Sequence, residues 1–291
     1  MRTRIFARAW EIMRGPNPSK RIASRLLWAS RLSRFITFQS NSINYRFFPS
    51  SMSAEMWVNP RYLSNEIQLT KSLMKISKGD LKYCIDVGAN IGVFSLNLAK
   101  ILPSGQIFAI EPHPKIYKYL AANVNMNSGS IKTLNLAVGA RDMKAQISNK
   151  RADDMNQVYL DDLKSGRPIS VSKLDTLFEE LSIFVLKIDV EGMERDVLLG
   201  AKKLLSRTEN VIVEVDAENY KAYGIEVSEV LDFLTREKFT LVGVSNTNNG
   251  SLRLVYPLIL SGERGENILA TRLNNDQISK LLEIENHQNH Y

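Results

Sequence analysis

The chain of 291 residues has one cysteine and three histidines. A single thiol, Cys84, cannot form an internal disulfide, which fits a reducing compartment. Its place in the apolar run Tyr83, Ile85, Val87 marks it as a core residue and not a nucleophile. With His113, His287 and His290 the only imidazoles, nothing in the Cys/His set supports zinc, and the expected site holds no metal. Long apolar runs are missing too. The stretch 182–188 is far short of the roughly 18 residues a membrane-spanning helix needs. The start of the chain has no apolar core of the kind a secretion signal carries.

Charge is unevenly spread. The formal net charge is +7, yet residues 2–34 hold nine basic groups against the single acid Glu11, leaving 29 basic and 30 acidic residues elsewhere. The high isoelectric point therefore belongs to an N-terminal arm, and nothing points to a nucleic-acid groove in the body. The arm interleaves its charges with Ile5, Trp10, Ile12, Leu26, Leu27, Leu32, Phe35 and Ile36, and Pro16 and Pro18 split it into two helical segments. Three readings stay open: a solvated helical extension, a peripheral contact with an anionic membrane face, or an organelle transit segment. The expected location is the cytoplasm, with the arm at the inner face of the membrane in the second reading.

From about residue 82 the pattern alternates. Strands are predicted at 83–87, 106–110, 131–138, 183–188, 211–215 and 239–244, with apolar residues at helical spacing between them, as in Phe94, Leu98, Ile101 and Leu102 or Val227, Val230, Leu231 and Leu234. This predicts βαβ units and a parallel sheet covered on both faces. The late strands 252–260 and 268–271 are expected to pair antiparallel at the sheet edge. The polar stretch 139–172, with Asp153, Asp154, Asp161 and Asp162, breaks the rhythm and reads as an insertion beside the site. The resulting division is an arm (1–40), a lead-in (41–81), a catalytic domain (82–272) and a polar tail (273–291) expected to fray.

Two motifs carry chemistry. In Asp86-Val87-Gly88-Ala89-Asn90-Ile91-Gly92, glycines let the backbone turn sharply and approach a ligand, and the helix start offers free N–H groups. A dinucleotide loop reads G-x-G-x-x-G; here Asn90 replaces the second glycine. Asp86 would repel a diphosphate but can bind an ammonium. Glu111 ends the second strand, about 20 residues on, where an acid accepts ribose hydroxyls; the structural alternative is a helix N-terminal acid favoured by the dipole. In the second motif, Lys187-Ile188-Asp189-Val190-Glu191-Gly192-Met193-Glu194, the carboxylates follow an apolar strand and face the crevice where open α/β sheets bind ligands. Helix capping is the alternative there.

Taken in order, Asp86 to Gly92, Glu111-Pro112-His113-Pro114, Asn123 to Asn127, Leu174-Asp175, Lys187 to Gly192 with Glu194, Gly200-Ala201 and Glu214 resemble the pattern of the FkbM methyltransferases over roughly residues 66–271. The resemblance implies a Rossmann-like class I methyltransferase fold, an α/β architecture with a mostly parallel seven-stranded sheet, helices on both faces and an antiparallel edge strand. It implies S-adenosyl-L-methionine as cofactor, held by Asp86, Gly88, Asn90, Gly92, Glu111, Pro112 and Val138. It implies O-methylation of a hydroxyl on a glycan, glycolipid or secondary metabolite. Catalysis is expected from Asp189 and Glu191, with Lys187 holding a carboxylate charged and Glu214 and Asp216 as further candidates. Carboxylates at these two strand ends could instead hold Mg²⁺. Rival functions are an NAD-dependent oxidoreductase and a non-catalytic S-adenosylmethionine-binding protein.

Overall fold

The computed structural model describes residues 35–288 apart from short stretches, the longest being 149–155, 160–165 and 247–251; before Phe35 it describes only Ile22 and Leu26. The helices expected in the arm, and Asp153, Asp154, Asp161 and Asp162, lie outside the described residues.

The chain opens with a hairpin, β1 (Thr37–Ser40) and β2 (Ile43–Arg46), turned by Asn41 and Ser42 at φ 50 and 58. Positive φ at both turn residues matches the right-handed twist of the strands. Phe38, Ile43 and Tyr45 are buried. Helix α1 (Asn65–Ile76) leads to β3 (Tyr83–Val87), α2 (Val93–Ile101), β4 (Gln106–Ile110), α3 (Pro114–Asn127) and β5 (Ile131–Leu134). After β6 (Ala137–Val138), β7 (Met143–Ile147), β8 (Val158–Tyr159) and β9 (Arg167–Ser172) come α4 (Leu174–Leu177), β10 (Ile183–Ile188), α5 (Glu194–Leu199), α6 (Lys202–Leu205) and β11 (Thr208–Val215). The last elements are α7 (Ala217–Lys221), α8 (Val227–Arg236), β12 (Thr240–Asn246), β13 (Leu252–Val255), β14 (Glu266–Thr271) and α9 (Asn275–Gln288).

The main sheet has eight strands in the order β13-β12-β14-β11-β10-β3-β4-β5. Strands β11, β10, β3, β4 and β5 are mutually parallel, while β14 runs antiparallel to both neighbours. This is the expected Rossmann-like α/β class, with two differences. There are eight strands, not seven. The strand at 268–271 is not an edge strand: it is inserted between β11 and β12, and β13 forms the antiparallel edge. The burial of Ile268, Leu269, Ala270 and Thr271 in succession is what an interior strand requires, since both faces are covered. Successive side chains go to opposite faces. Cys84, Val185 and Ile212 join the core under α1, α2, α3 and the hairpin, and Ile85, Leu186 and Val213 join the core under α5, α6 and α8.

The insertion is a small sheet of its own, β6-β9-β7-β8, and the strand expected over 131–138 is broken between the two sheets. Alternation in Met143-Lys144-Ala145-Gln146-Ile147 and in Pro168-Ile169-Ser170-Val171 turns Ala145, Ile147, Ile169 and Val171 onto Met193, at the start of α5. The lead-in is likewise part of the domain. The backbone N–H groups of Asn44 and Arg46 donate to Asn127 Oδ1 and Asn123 Oδ1, both at 2.8 Å, so two amides of α3 complete the open edge of β2. The boundary placed at residue 40 cuts this hairpin in two. Among the described residues no helix is long and apolar enough to cross a membrane.

The tail is a helix and not a frayed end. Asn274 and Gln277 cap α9 reciprocally, each side chain accepting from the other's backbone N–H at 2.9 and 3.1 Å. Ile278 and Leu281 are 1% and 0% exposed, and Leu281 joins the core beside α1. Leu281→Ala should therefore lower unfolding free energy by about 2–5 kcal/mol in urea titration; an unchanged midpoint would mean that α9 adds nothing to the domain.

Candidate active site

The chain runs outward from β3 through β4 to β5 and then returns to β10 on the other side of β3. The crevice of an open α/β sheet forms at such a reversal, beyond the carboxyl ends of the strands. Both sequence motifs end there. Gly88, at φ +84, is forced by this closeness: a Cβ on it would lie 1.8 Å from the carbonyl oxygen of Asp189. Only glycine allows β3 and β10 to meet at their tips.

Lys187 and Asp86 are register partners on β10 and β3. Lys187 Nζ stands 2.9 Å from Asp189 Oδ2 and 3.9 Å from Asp86 Oδ1, with side-chain exposures of 9% for the lysine, 34% for Asp189 and 1% for Asp86. Ser95 Oγ donates to Asp86 Oδ2 at 2.6 Å, and the ring of Phe94 lies 5.9 Å from the ammonium. Burial alone would lower the Lys187 pKa, but Asp189, Asp86 and Glu66 outweigh it and the net shift is upward. Asp86 is pushed up by burial, which Lys187 and Ser95 only partly offset. The asymmetry follows from distance: Asp189 is the close counter-ion, and Asp86 is a deeper, weaker one.

The cofactor loop is tied by Glu111. This carboxylate is 6% exposed and accepts from Asn90 N at 3.0 Å and from His113 N at 2.8 Å. Gly88 N and Ala89 N donate to Ile110 O, while Gly92, at φ 91, is the N-cap of α2. Pro112 O accepts from Asn135 Nδ2 at 3.1 Å. Thus Gly88, Asn90, Gly92, Glu111 and Pro112 are brought together at one rim of the crevice. Two expected cofactor residues sit elsewhere. Asp86 lies beneath the loop, its carboxylate turned to Lys187 and Ser95. Val138 is 4% exposed and joins the core with Ile110 and Leu174, so its side chain does not face the crevice.

On the other rim the 189–194 turn contains Glu191 at φ 57 and Gly192 at φ 112. Glu194 is 2% exposed, and its Oε1 accepts from Val190 N at 3.0 Å and Gly192 N at 3.3 Å. Burial raises its pKa to about 7 despite those donors. Asn219 Nδ2 donates to Glu191 Oε2 at 2.8 Å. Glu214 stands beside Asp189 on the adjacent strand. Its pKa is raised to about 9, first by burial and then by the negative charges of Asp189 and Glu191. Asp216 takes a structural role, as the N-cap of α7 accepting from Glu218 N and Asn219 N. Ser95, Asn219 and Glu66 were not singled out by sequence. They come from three separate elements, and only the fold brings them to the site. Among the described residues no cluster of His, Cys, Asp and Glu has the arrangement of a metal site. A separate hollow of about 290 Å³ lies between the small sheet and α5, lined by Arg141, Met143, Val171, Met193 and Asp196.

The donor set suits a cationic cofactor. Asp189 and Glu191 line the mouth, and the lysine beside them is already paired with Asp189, so a diphosphate would meet repulsion and an ammonium or sulfonium attraction. Glu111 keeps acceptor capacity for ribose hydroxyls beyond its two backbone donors.

Removing the central cation should be costly. Lys187→Met leaves Asp86 and Asp189 without a counter-charge and should lower stability by about 3–5 kcal/mol in denaturant unfolding at neutral pH. Adding Asp86→Asn should recover part of the loss. Additive losses in the double variant would show that the two side chains are not coupled.

Comparison with known proteins identifies the family. The family described as the methyltransferase FkbM domain matches residues 86–241. Hexuronic acid methyltransferase AglP of Haloferax volcanii is 27% identical over 188 residues, covering 64% of this chain and 74% of that protein. The 2-O-methyltransferase NoeI of Sinorhizobium fredii is 27% identical over 173 residues, covering 52% and 70%. A match to the AMB antimetabolite synthetase AmbE of Pseudomonas aeruginosa, at 26% identity, covers 53% of this chain but spans only 9% of that protein. Among solved structures, an S-adenosylmethionine-dependent O-methyltransferase from Thermotoga maritima aligns with a TM-score of 0.41 at 15% identity, covering 82% of this chain and 78% of that one.

Proposed function

Since the chain belongs to the FkbM methyltransferase family, with S-adenosylmethionine as its cofactor, we propose that it methylates an uncharged hydroxyl on a sugar, a glycolipid or a secondary metabolite. The observation that carries this reading is Asp189, a carboxylate at the crevice mouth held on one side by the buried Lys187 ammonium. The cofactor supplies a methyl group on a positively charged sulfur, which departs as a neutral thioether. Glu111 holds the ribose, and the Gly88 to Gly92 loop lets the backbone approach. Asp189 orients the acceptor hydroxyl and takes its proton, since an alcohol is a poor nucleophile while protonated. Glu191, held by Asn219, lines the acceptor side.

The acidic mouth favours a hydroxyl over a carboxylate acceptor, because an anion would meet the negative charges of Asp189 and Glu191. The name of one relative, a hexuronic acid methyltransferase, supports a sugar as the acceptor class. The basic arm, residues 2–34, would draw the chain to an anionic leaflet at about 1 kcal/mol per basic group near the surface, giving access to a lipid-linked acceptor. Deleting residues 1–36 should abolish low-salt co-sedimentation with anionic vesicles while S-adenosylhomocysteine affinity is kept; undiminished sedimentation would end the membrane role.

The reaction is tested with radiolabelled S-adenosylmethionine and a panel of methyl hexosides, 6-deoxyhexosides and uronosides. Label should appear as an ether on an uncharged sugar. A methyl ester on the uronoside carboxyl would overturn the hydroxyl reading. Asp189→Asn should cut turnover by about 10²–10⁴-fold with S-adenosylhomocysteine affinity unchanged. Glu111→Ala should instead weaken that affinity by about 1.5–3 kcal/mol, read by calorimetry. NAD binding in the same cell, without heat from S-adenosylhomocysteine, would refute the cofactor assignment.

A further inference from the structure

Lys187 accounts for the charge of Asp189 and, less closely, of Asp86. Among the described residues no ion pair is made to Glu214. Strands β10 and β11 are parallel and in register, with Ile188 level with Val213, so the next residues on each, Asp189 and Glu214, are lateral neighbours. Their carboxyl groups are therefore set side by side at the two strand ends. Two carboxylates held side by side and largely out of water do not both ionise: one keeps its proton and can donate it to the other. Lys187 decides which, because its ammonium lies on Asp189 at 2.9 Å. The ion is then Asp189 and the acid is Glu214.

The surroundings of Glu214 agree. Gly265, at φ +64, lies so close that a Cβ would come within 2.6 Å of Glu214 Oε1, closing that side against larger side chains. The titratable groups that face Glu214 are Asp189, Glu191 and Lys187 from β10 and the turn after it, and Tyr220 from α7. Among these described residues only Lys187 is positive, and it is engaged by Asp189. Tyr220 contributes its hydroxyl to the Glu214 carbonyl at 3.4 Å and no charge.

We propose that Glu214 is a positioning residue that works as a neutral acid: its proton bridges to Asp189 and, with Lys187 on the other side, fixes that carboxylate for the acceptor hydroxyl. The proposal rests on the reading of Asp189 as proton acceptor. In the step, the acceptor O–H bond breaks and its electron pair forms the new O–CH₃ bond. The S–CH₃ pair stays on sulfur, and the proton goes to Asp189. Glu214 keeps its own proton throughout. Ionising Glu214 would replace a donor by a second negative charge and turn Asp189 away.

The pair can be examined without an acceptor. The full chain, with ¹³C in its carboxyl groups and S-adenosylhomocysteine bound, is titrated by NMR from about pH 5 to 10. One glutamate carboxyl should stay in its acid form through neutrality and titrate near pH 9. It should vanish in Glu214→Gln and titrate about one unit or more lower in Asp189→Asn, where the neighbouring charge is gone. If every glutamate is ionised by pH 7, or if Asp189→Asn leaves the midpoint in place, the proposal fails while the methyltransferase assignment stands. If Glu214→Gln does not fold, the Asp189→Asn shift still decides. Kinetics on a sugar found to accept methyl adds a second readout. Glu214→Ala should lose at least about tenfold in turnover, Gln should restore most of it, because its amide donates where the acid did, and the fall in rate above pH 9 should disappear in Gln. Equal losses in Ala and Gln would overturn the proposal.

Discussion

A buried ammonium is stable only where carboxylates surround it, and Lys187 sets the arrangement of everything at the mouth of this sheet. Its strand neighbour Asp86 lies fully buried below it and Asp189 lies above, two residues along β10 on the same face. The pairing costs desolvation on every partner, so it is weak evidence for stability as such. What it does is leave few choices. Asp189 must stay near the lysine, Ser95 must stay near Asp86, and the first turn of α2 is thereby held against β3.

The carboxylates of the two motifs divide by what their oxygens touch. Glu111, Glu194 and Asp216 accept backbone N–H groups and serve as ties: Glu111 joins the turn after β3 to the turn after β4, Glu194 holds the 189–194 turn, and Asp216 caps α7. Glu111 keeps acceptor capacity for a ligand besides its ties. Asp189, Glu191 and Glu214 instead meet side chains: a lysine, an asparagine and one another. Chemistry falls to the second group, because their oxygens meet side chains at the crevice mouth and are not committed to holding turns of the backbone.

Strain and close approach concentrate at the same place. Glu191 takes a left-handed conformation, and Gly88 allows two strand tips to touch. The turn holding Glu191 is braced by Glu194 from inside and by Tyr223 and Asn219 against Gly192. Tyr223 in turn donates to Val158 O of the small sheet at 3.1 Å. The insertion is in this way a support for the acceptor rim, and Met193 is the apolar contact between them.

Local information was enough for the strands that carry the motifs. The runs 83–87, 106–110 and 183–188 form β3, β4 and β10 with those bounds, because continuous apolar stretches between turn residues leave a chain little choice. The two-residue period of a strand already puts Lys187 and Asp189 on one face. Cys84 is buried as its neighbours require. The cap pair Asn274 and Gln277 and the alternation in 143–147 were present as signals, although the polar composition around them concealed a helix and a sheet. Other features are non-local, and no reading of neighbours along the chain reaches them. Strand order placed β14 inside the sheet. Register set Glu214 beside Asp189. Packing brought Asn219 to Glu191 and Ser95 to Asp86. The sequence by itself determined which residues carry charge and at which strand ends they emerge. Tertiary structure alone decided which carboxylates the backbone takes and which are left to one buried lysine, because that depends on distances between segments far apart in the chain.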